Sequence, residues 1–189
     1  MNADAVLDLF RRSGALLEGH FRLSSGLHSG QYLQSALVLQ YPEFAAQLGT
    51  ALAEATAHLQ ATAVLSPALG GIVIGHEVAR ALGVRGLFAE RQDGTLTLRR
   101  GFMLTPRDRV LVVEDVITTG GSTRETIDVA RATGAEVLGA AAIIDRGHDP
   151  QRLHVPMKTL VQLDVPAYQP DACPLCAQGR PVVKPGSRT

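Results

Sequence analysis

Residues 109–125 read Arg109-Val-Leu-Val-Val-Glu-Asp-Val-Ile-Thr-Thr-Gly-Gly-Ser-Thr-Arg-Glu125, and this stretch decides the reading of the 189-residue chain. An unalternating apolar run, 110–113, has the pattern of a strand buried on both faces. It delivers two adjacent carboxylates, Glu114 and Asp115, to its carboxyl end, where small residues lead into a helix. Ser122 and Glu125 have the Ser-x-x-Glu spacing of a capping box. A helix start presents unpaired N–H groups and the positive end of the peptide dipole, so residues 118–122 form a phosphate cradle. Carboxylates beside a phosphate repel it unless they serve another group. Their natural partners are ribose hydroxyls, or a hydrated Mg²⁺ ion, which prefers hard oxygen ligands. A ligand with a phosphate, a vicinal diol and a metal-bound pyrophosphate meets all these demands together. A P-loop would need Gly-Lys-Ser/Thr at its end, and a dinucleotide fold Gly-x-Gly-x-x-Gly after its first strand; neither is present.

Outward from this stretch the same texture repeats. Apolar runs at 62–65, 84–88 and 136–144 end in Gly-rich or polar turns, and residues 75–82 and 122–133 read as the crossover helices between strands. Residues 4–12 place Val6, Leu9 and Phe10 at helical spacing, and 42–60 place Phe44, Leu48, Leu52 and Leu59 on one face behind Pro42. The implied fold class is α/β: a doubly wound, mostly parallel sheet flanked by helices, with ligands at the carboxyl ends of the strands. The absence of Trp and 4 % aromatic content leave the core to Ala, Val, Leu and Ile. The length suits a single domain over 1–189, and the last fifteen residues, rich in Pro, Gly and charge, read as loosely ordered. Eighteen basic residues balance eighteen acidic ones, which speaks against a broad grip on nucleic acid or on a membrane surface. The first residues lack a signal-peptide pattern and no apolar run reaches bilayer-spanning length, so a cytoplasmic protein is expected.

The run Val112-Val-Glu-Asp-Val-Ile-Thr-Thr-Gly-Gly-Ser122 resembles the signature of type I phosphoribosyltransferases, a motif shared by several members of that superfamily. Residues 14–34, with Phe21-Arg-Leu-Ser-Ser-Gly-Leu-His-Ser29 at their centre, resemble the N-terminal segment of the orotate branch, a hood over the base contributed by about 1–35. Ser66-Pro-Ala-Leu-Gly-Gly-Ile72 resembles the family's pyrophosphate loop. Ile143-Ile-Asp-Arg-Gly147 puts Arg146 where that branch has an arginine facing the orotate carboxylate, a pairing that a planar guanidinium makes bidentately. The resemblance spans most of 14–146. It implies Mg²⁺-dependent transfer from phosphoribosyl pyrophosphate to orotate, within a homodimer. The donor would be held by Glu114, Asp115, Val116, Ile117, Thr118, Thr119, Gly120, Gly121 and Ser122, and its pyrophosphate by Ala68, Leu69, Gly70 and Gly71. Orotate would lie against Thr118, Arg146, Ser24 and Ser25, and the metal would be held through the substrate with no direct protein ligand assigned. The rivals are a purine or xanthine phosphoribosyltransferase and a non-catalytic regulator that senses phosphoribosyl pyrophosphate.

The departures from that pattern are as informative. Ser24 stands where many orotate enzymes have a lysine, and 89–101 lacks the Lys and His of the family's mobile loop. Asp93-Gly94 followed by alternating Thr95-Leu-Thr-Leu98 reads as a hairpin. Arg91, Arg99 and Arg100 are left either to supply charge for departing pyrophosphate or to form a solvated face, with Arg91 grouped with Glu114 and Asp115 as catalytic. Cys173 and Cys176, in the extension beyond about 170, are half of a zinc site. Plain thiols, metal and disulfide stay open; a metal site would recruit His148 or His154 within one chain, or form across a dimer. His20, His28, His58 and His76 show no ligand spacing and read as packed or solvated.

Overall fold

The computed structural model describes residues 1–23, 25–147, 149 and 151–185. Helix α1 (Ala3–Arg12) precedes a hairpin of β1 (Leu16–Arg22) and β2 (His28–Leu33), then α2 (Ser35–Leu39) and α3 (Pro42–Thr56). An alternating run follows: β3 (Ala63–Pro67), α4 (Gly70–Leu82), β4 (Arg85–Gln92), β5 (Thr95–Leu98), β6 (Arg109–Ile117), α5 (Gly121–Ala132), β7 (Glu136–Asp145) and β8 (Met157–Gln162). The chain closes with β9 (Ala167–Tyr168) and a single turn, α6 (Pro174–Ala177).

The main sheet has the order β5-β4-β3-β6-β7-β8, parallel throughout except for β5, which pairs antiparallel with β4. Each expected strand and crossover helix is present, with limits shifted by a few residues. Successive side chains leave a strand on opposite faces, and the two cores divide accordingly. Val64, Leu111, Val113, Ala141 and Ile143 pack under α1, α3 and α4. Ala63, Leu65, Val110, Val112, Ala140 and Ala142 pack under α5. The expected hairpin forms at Asp93 and Gly94, both with positive φ. The edge strand β8 was not legible: Met-Lys-Thr-Leu-Val-Gln is short, and its burial alternates only in part.

A second sheet, β1-β2-β9, is antiparallel and joins the two ends of the chain. It corrects the expectation of a loose terminus. Arg22 N–H donates to Val183 O and Val183 N–H to His20 O, both at 2.8 Å, so the extension is tied to β1 at least as far as Val183.

The α4–β3 crossover depends on a close approach. A Cβ on Gly75, inside α4, would stand 1.9 Å from Ser66 Oγ and 2.9 Å from Ser66 Cβ, and Ser66 is buried. Alanine gains about 1 kcal/mol over glycine in a helix interior, but here it must push helix from sheet. Gly75→Ala should therefore lower unfolding stability by about 1–3 kcal/mol. Urea denaturation followed by circular dichroism measures this, and an unchanged or raised midpoint would show that the approach is not tight.

Candidate functional site

Strand β6 runs past the apolar segment and carries Glu114 and Asp115 in its carboxyl-terminal half, with Arg146 N–H bonded to Ile117 O at 2.8 Å at its end. Being consecutive in a strand, the two carboxylates point to opposite faces. Glu114 turns toward α5, where Thr123 Oγ1 donates to its Oε2 at 2.7 Å. Asp115 turns toward the start of α4 and accepts a hydrogen bond from Ser35 at the start of α2. Its Oδ1 lies 2.9 Å from where a Cβ on Gly70 would be, so the turn at residues 67–71 is held against this carboxylate. Burial pushes Glu114 up to about 7; the bond from Thr123 opposes this and the charge of Asp115 adds to it. Burial also raises Asp115, against its bonds to Ser35 and to backbone.

The loop from Thr118 to Ser122 lines one open cavity together with Arg91, Glu114, Thr123 and Glu125. The expected capping box does not form. Helix α5 begins at Gly121, its N-cap is Gly120 at φ +75°, and no side chain caps it. Ser122 is already inside the first turn, and Glu125 forms a bidentate pair with Arg91 at 2.9 and 3.1 Å. An uncapped first turn keeps its amides available for an anion, which a capping side chain would displace. Gly120 is required twice: by its left-handed backbone, and because a Cβ there would meet Leu153 Cδ2 at 2.6 Å.

The other expected residues separate. Arg91 reaches the cavity, whereas Arg99 and Arg100 pair with Glu90 at 4.0 and 2.9 Å. Ala68, Leu69, Gly70 and Gly71 form the turn into α4, with a cis Ala68–Leu69 peptide bond and Leu69 exposed. Arg146 is half-buried; its Nε is buried without a hydrogen-bond partner, and burial lowers its proton affinity. Ser25 is exposed in the turn between β1 and β2, while Ser24 lies outside the described residues.

Several supporting residues escaped the sequence reading. Asp145, at the end of β7, pairs with Arg152, both side chains almost fully buried. Asp145 also accepts from Gly147 N–H at 2.8 Å, fixing the backbone beside Arg146. Arg124 donates to Thr119 O at 3.0 Å and to Arg152 O at 3.2 Å, bracing the cradle against the segment after β7. The adjacency of Asp145 and Arg146 at a strand end was the one available signal; the partner Arg152 had none.

The profile of the phosphoribosyl transferase domain matches residues 37–167. A curated orotate phosphoribosyltransferase of Pelotomaculum thermopropionicum is 52 % identical over 188 residues, covering 100 % of this chain and 99 % of that one. One of Desulforamulus reducens is 50 % identical over 188 residues, covering 100 % and 98 %. Among solved structures, orotate phosphoribosyltransferase from Aeropyrum pernix superposes with a TM-score of 0.71 at 27 % identity, over 84 % of this chain and 93 % of that one. The Mycobacterium tuberculosis enzyme in complex with 5-phospho-alpha-D-ribosyl 1-diphosphate shares the fold, with a TM-score of 0.68 at 24 % identity over 84 % and 94 %.

The raised Glu114 carboxyl has a consequence for stability. The folded chain holds this proton more tightly than the unfolded chain, whose glutamate titrates near 4.5, so stability falls as pH rises from about 4.5 to about 7. Between pH 5 and 8 the wild type should lose about 2 kcal/mol more than Glu114→Gln. Urea unfolding of both proteins at the two pH values measures the difference, and parallel pH profiles would rule out a perturbed Glu114.

Proposed function

The chain belongs to the phosphoribosyltransferase family, and from that membership we propose that it transfers the 5-phosphoribosyl group of phosphoribosyl pyrophosphate to orotate, releasing pyrophosphate and orotidine 5′-monophosphate. Its full-length relatives carry the orotate name, and the observation in the site that favours this acceptor is Arg146. A partly buried guanidinium with an unpartnered Nε is costly on its own and suits a planar carboxylate, which orotate has and purine bases lack.

On this reading the uncapped start of α5, residues 118–122, takes the 5′-phosphate, with Glu114 and Asp115 on the ribose hydroxyls. Residues 68–71 at the head of α4 take the pyrophosphate, through amides other than that of Ala68, which donates to Ala89 O at 2.7 Å. Thr118 and Ser25 are assigned to the acceptor side. Arg91, steadied by Glu125 at the rim of the cavity, contributes positive charge toward the phosphates. The reaction is a displacement at the anomeric carbon: the ring nitrogen of orotate attacks as the bond to pyrophosphate breaks. Its oxocarbenium-like transition state calls for positioning and charge stabilisation more than proton transfer.

The donor's pyrophosphate and hydroxyls would carry Mg²⁺, which offsets charge building on the leaving group. Two buried carboxylates of raised proton affinity at one strand end fit such an ion's surroundings, since a divalent charge nearby favours their ionised forms. We read the chain as one phosphoribosyltransferase domain working as a homodimer in the cytoplasm. Among the described residues no helix is long and apolar enough to cross a membrane.

A spectrophotometric assay with orotate, phosphoribosyl pyrophosphate and Mg²⁺ tests the proposal. Arg146→Ala should raise KM for orotate and cut kcat/KM by roughly 10- to 100-fold, the worth of a charge-assisted bidentate contact, with KM for the donor little changed. Asp115→Asn should chiefly raise KM for the donor. Turnover of a purine base in place of orotate, or orotate kinetics indifferent to Arg146, would overturn the assignment.

A further inference from the structure

Four side chains that the transfer reaction does not use converge where the two ends of the chain meet. His20 on β1, His28 on β2, Cys173 at the N-cap of α6 and Cys176 within it place their ligand atoms all within 4.8 Å of one another. His20 Nε2 lies 2.9 Å from His28 Nδ1, 3.5 Å from Cys173 Sγ and 3.8 Å from Cys176 Sγ, and Cys176 Sγ lies 3.3 Å from His28 Nδ1. This corrects two expectations. The histidines facing the cysteines are His20 and His28, which had been read as packed or solvated. His154 is exposed in a turn and outside the group, and His148 lies outside the described residues.

We propose that His20, His28, Cys173 and Cys176 bind a structural Zn²⁺ ion that fastens the C-terminal extension to the N-terminal hairpin. Two thiolates and two imidazoles are a complete tetrahedral donor set for this ion. Metal–ligand bonds of about 2.0–2.3 Å give tetrahedral edges of roughly 3.3–3.8 Å. The three nitrogen–sulfur distances given above fall in that range; the two imidazoles must part slightly, and any pair near the 4.8 Å limit must draw in.

The surroundings are also those of a metal site. His20 Nδ1 sits 2.9 Å from Arg180 O. A proton donated there leaves Nε2 as the bare, metal-facing nitrogen, which is how ligand imidazoles are commonly fixed. His20, His28 and Cys173 are only 4, 6 and 3 % exposed, so three of the four ligands are shielded from water. Two thiolates neutralise Zn²⁺, so the filled site is uncharged and cheap to bury; binding releases the two thiol protons.

The extension also needs such a fastening. From residue 162 to 185 the only buried residue is Cys173. Two residue pairs of β9, a bridge between Phe21 and Val183, a 3-10 turn at Pro170–Ala172 and the one turn of α6 are its regular structure. That much backbone has no apolar core to offset its ordering entropy, the situation in which small units rely on a metal or disulfide staple.

Metal analysis of protein purified without chelator should find about one Zn²⁺ per chain. Exchange into Co²⁺ should give the visible absorption of tetrahedral cobalt and a near-ultraviolet sulfur-to-cobalt band. Chelation should lower the melting temperature, and Zn²⁺ should restore it. Cys176→Ser, at the exposed ligand, and His28→Gln should each lose the bound Zn²⁺ and this melting response. Reduced wild-type protein that binds neither Zn²⁺ nor Co²⁺ would overturn the proposal. So would recovery of Cys173 and Cys176 as a disulfide from a metal-free, fully folded chain, or undiminished Zn²⁺ binding by both variants.

Discussion

The first turn of α5 has no side chain to satisfy its amides, and much of the molecule is arranged around that omission. Unsatisfied N–H groups at a helix start attract an anion, and a fixed dipole at the carboxyl end of a buried strand makes the attraction directional. Glycine at 120 lets the chain turn into α5 without a Cβ striking Leu153, and Arg124 braces the loop from behind. The residue that a sequence reading gives to capping, Glu125, is engaged by Arg91 instead. Binding capacity here is gained by leaving a local structural need unmet until a ligand arrives.

The same economy governs the charges around the cradle. Glu114, Asp115 and Arg146 are all drawn away from their ordinary proton affinities by burial, the carboxyls upward and the guanidinium downward. Each is an incompletely compensated polar group at a strand end, the place where parallel sheets expose binding crevices. The Asp145–Arg152 pair, by contrast, is internally satisfied and holds the backbone on which Arg146 sits. A sugar phosphate with an acidic base partner would satisfy the first set without disturbing the second.

How much of this was legible follows from the range of the interactions. Strand β6, its two acids, the loop and α5 are contiguous, so their order could be read from residues 109–125 alone, and the parallel sheet followed from apolar runs of the same texture. The capping box failed because Ser-x-x-Glu spacing does not say where the helix begins; Gly120 does, by accepting a backbone conformation closed to most residues. The His–Cys quartet was invisible for another reason. The histidines are 148 to 156 residues from the cysteines they face. No periodicity or spacing rule reaches across that distance, and only the antiparallel joining of β1, β2 and β9 reveals it.

The central claim is physical: exposed amides at the start of α5 hold the donor's phosphate while Glu114 and Asp115 hold its sugar. A crystal structure of the protein with phosphoribosyl pyrophosphate and Mg²⁺ tests it most directly. The account predicts the 5′-phosphate within hydrogen-bonding distance of the amides of residues 118–122 and the ribose hydroxyls on the two carboxylates. Donor bound elsewhere with this corner unengaged, or a 5′-phosphate held by side-chain cations alone, would contradict it.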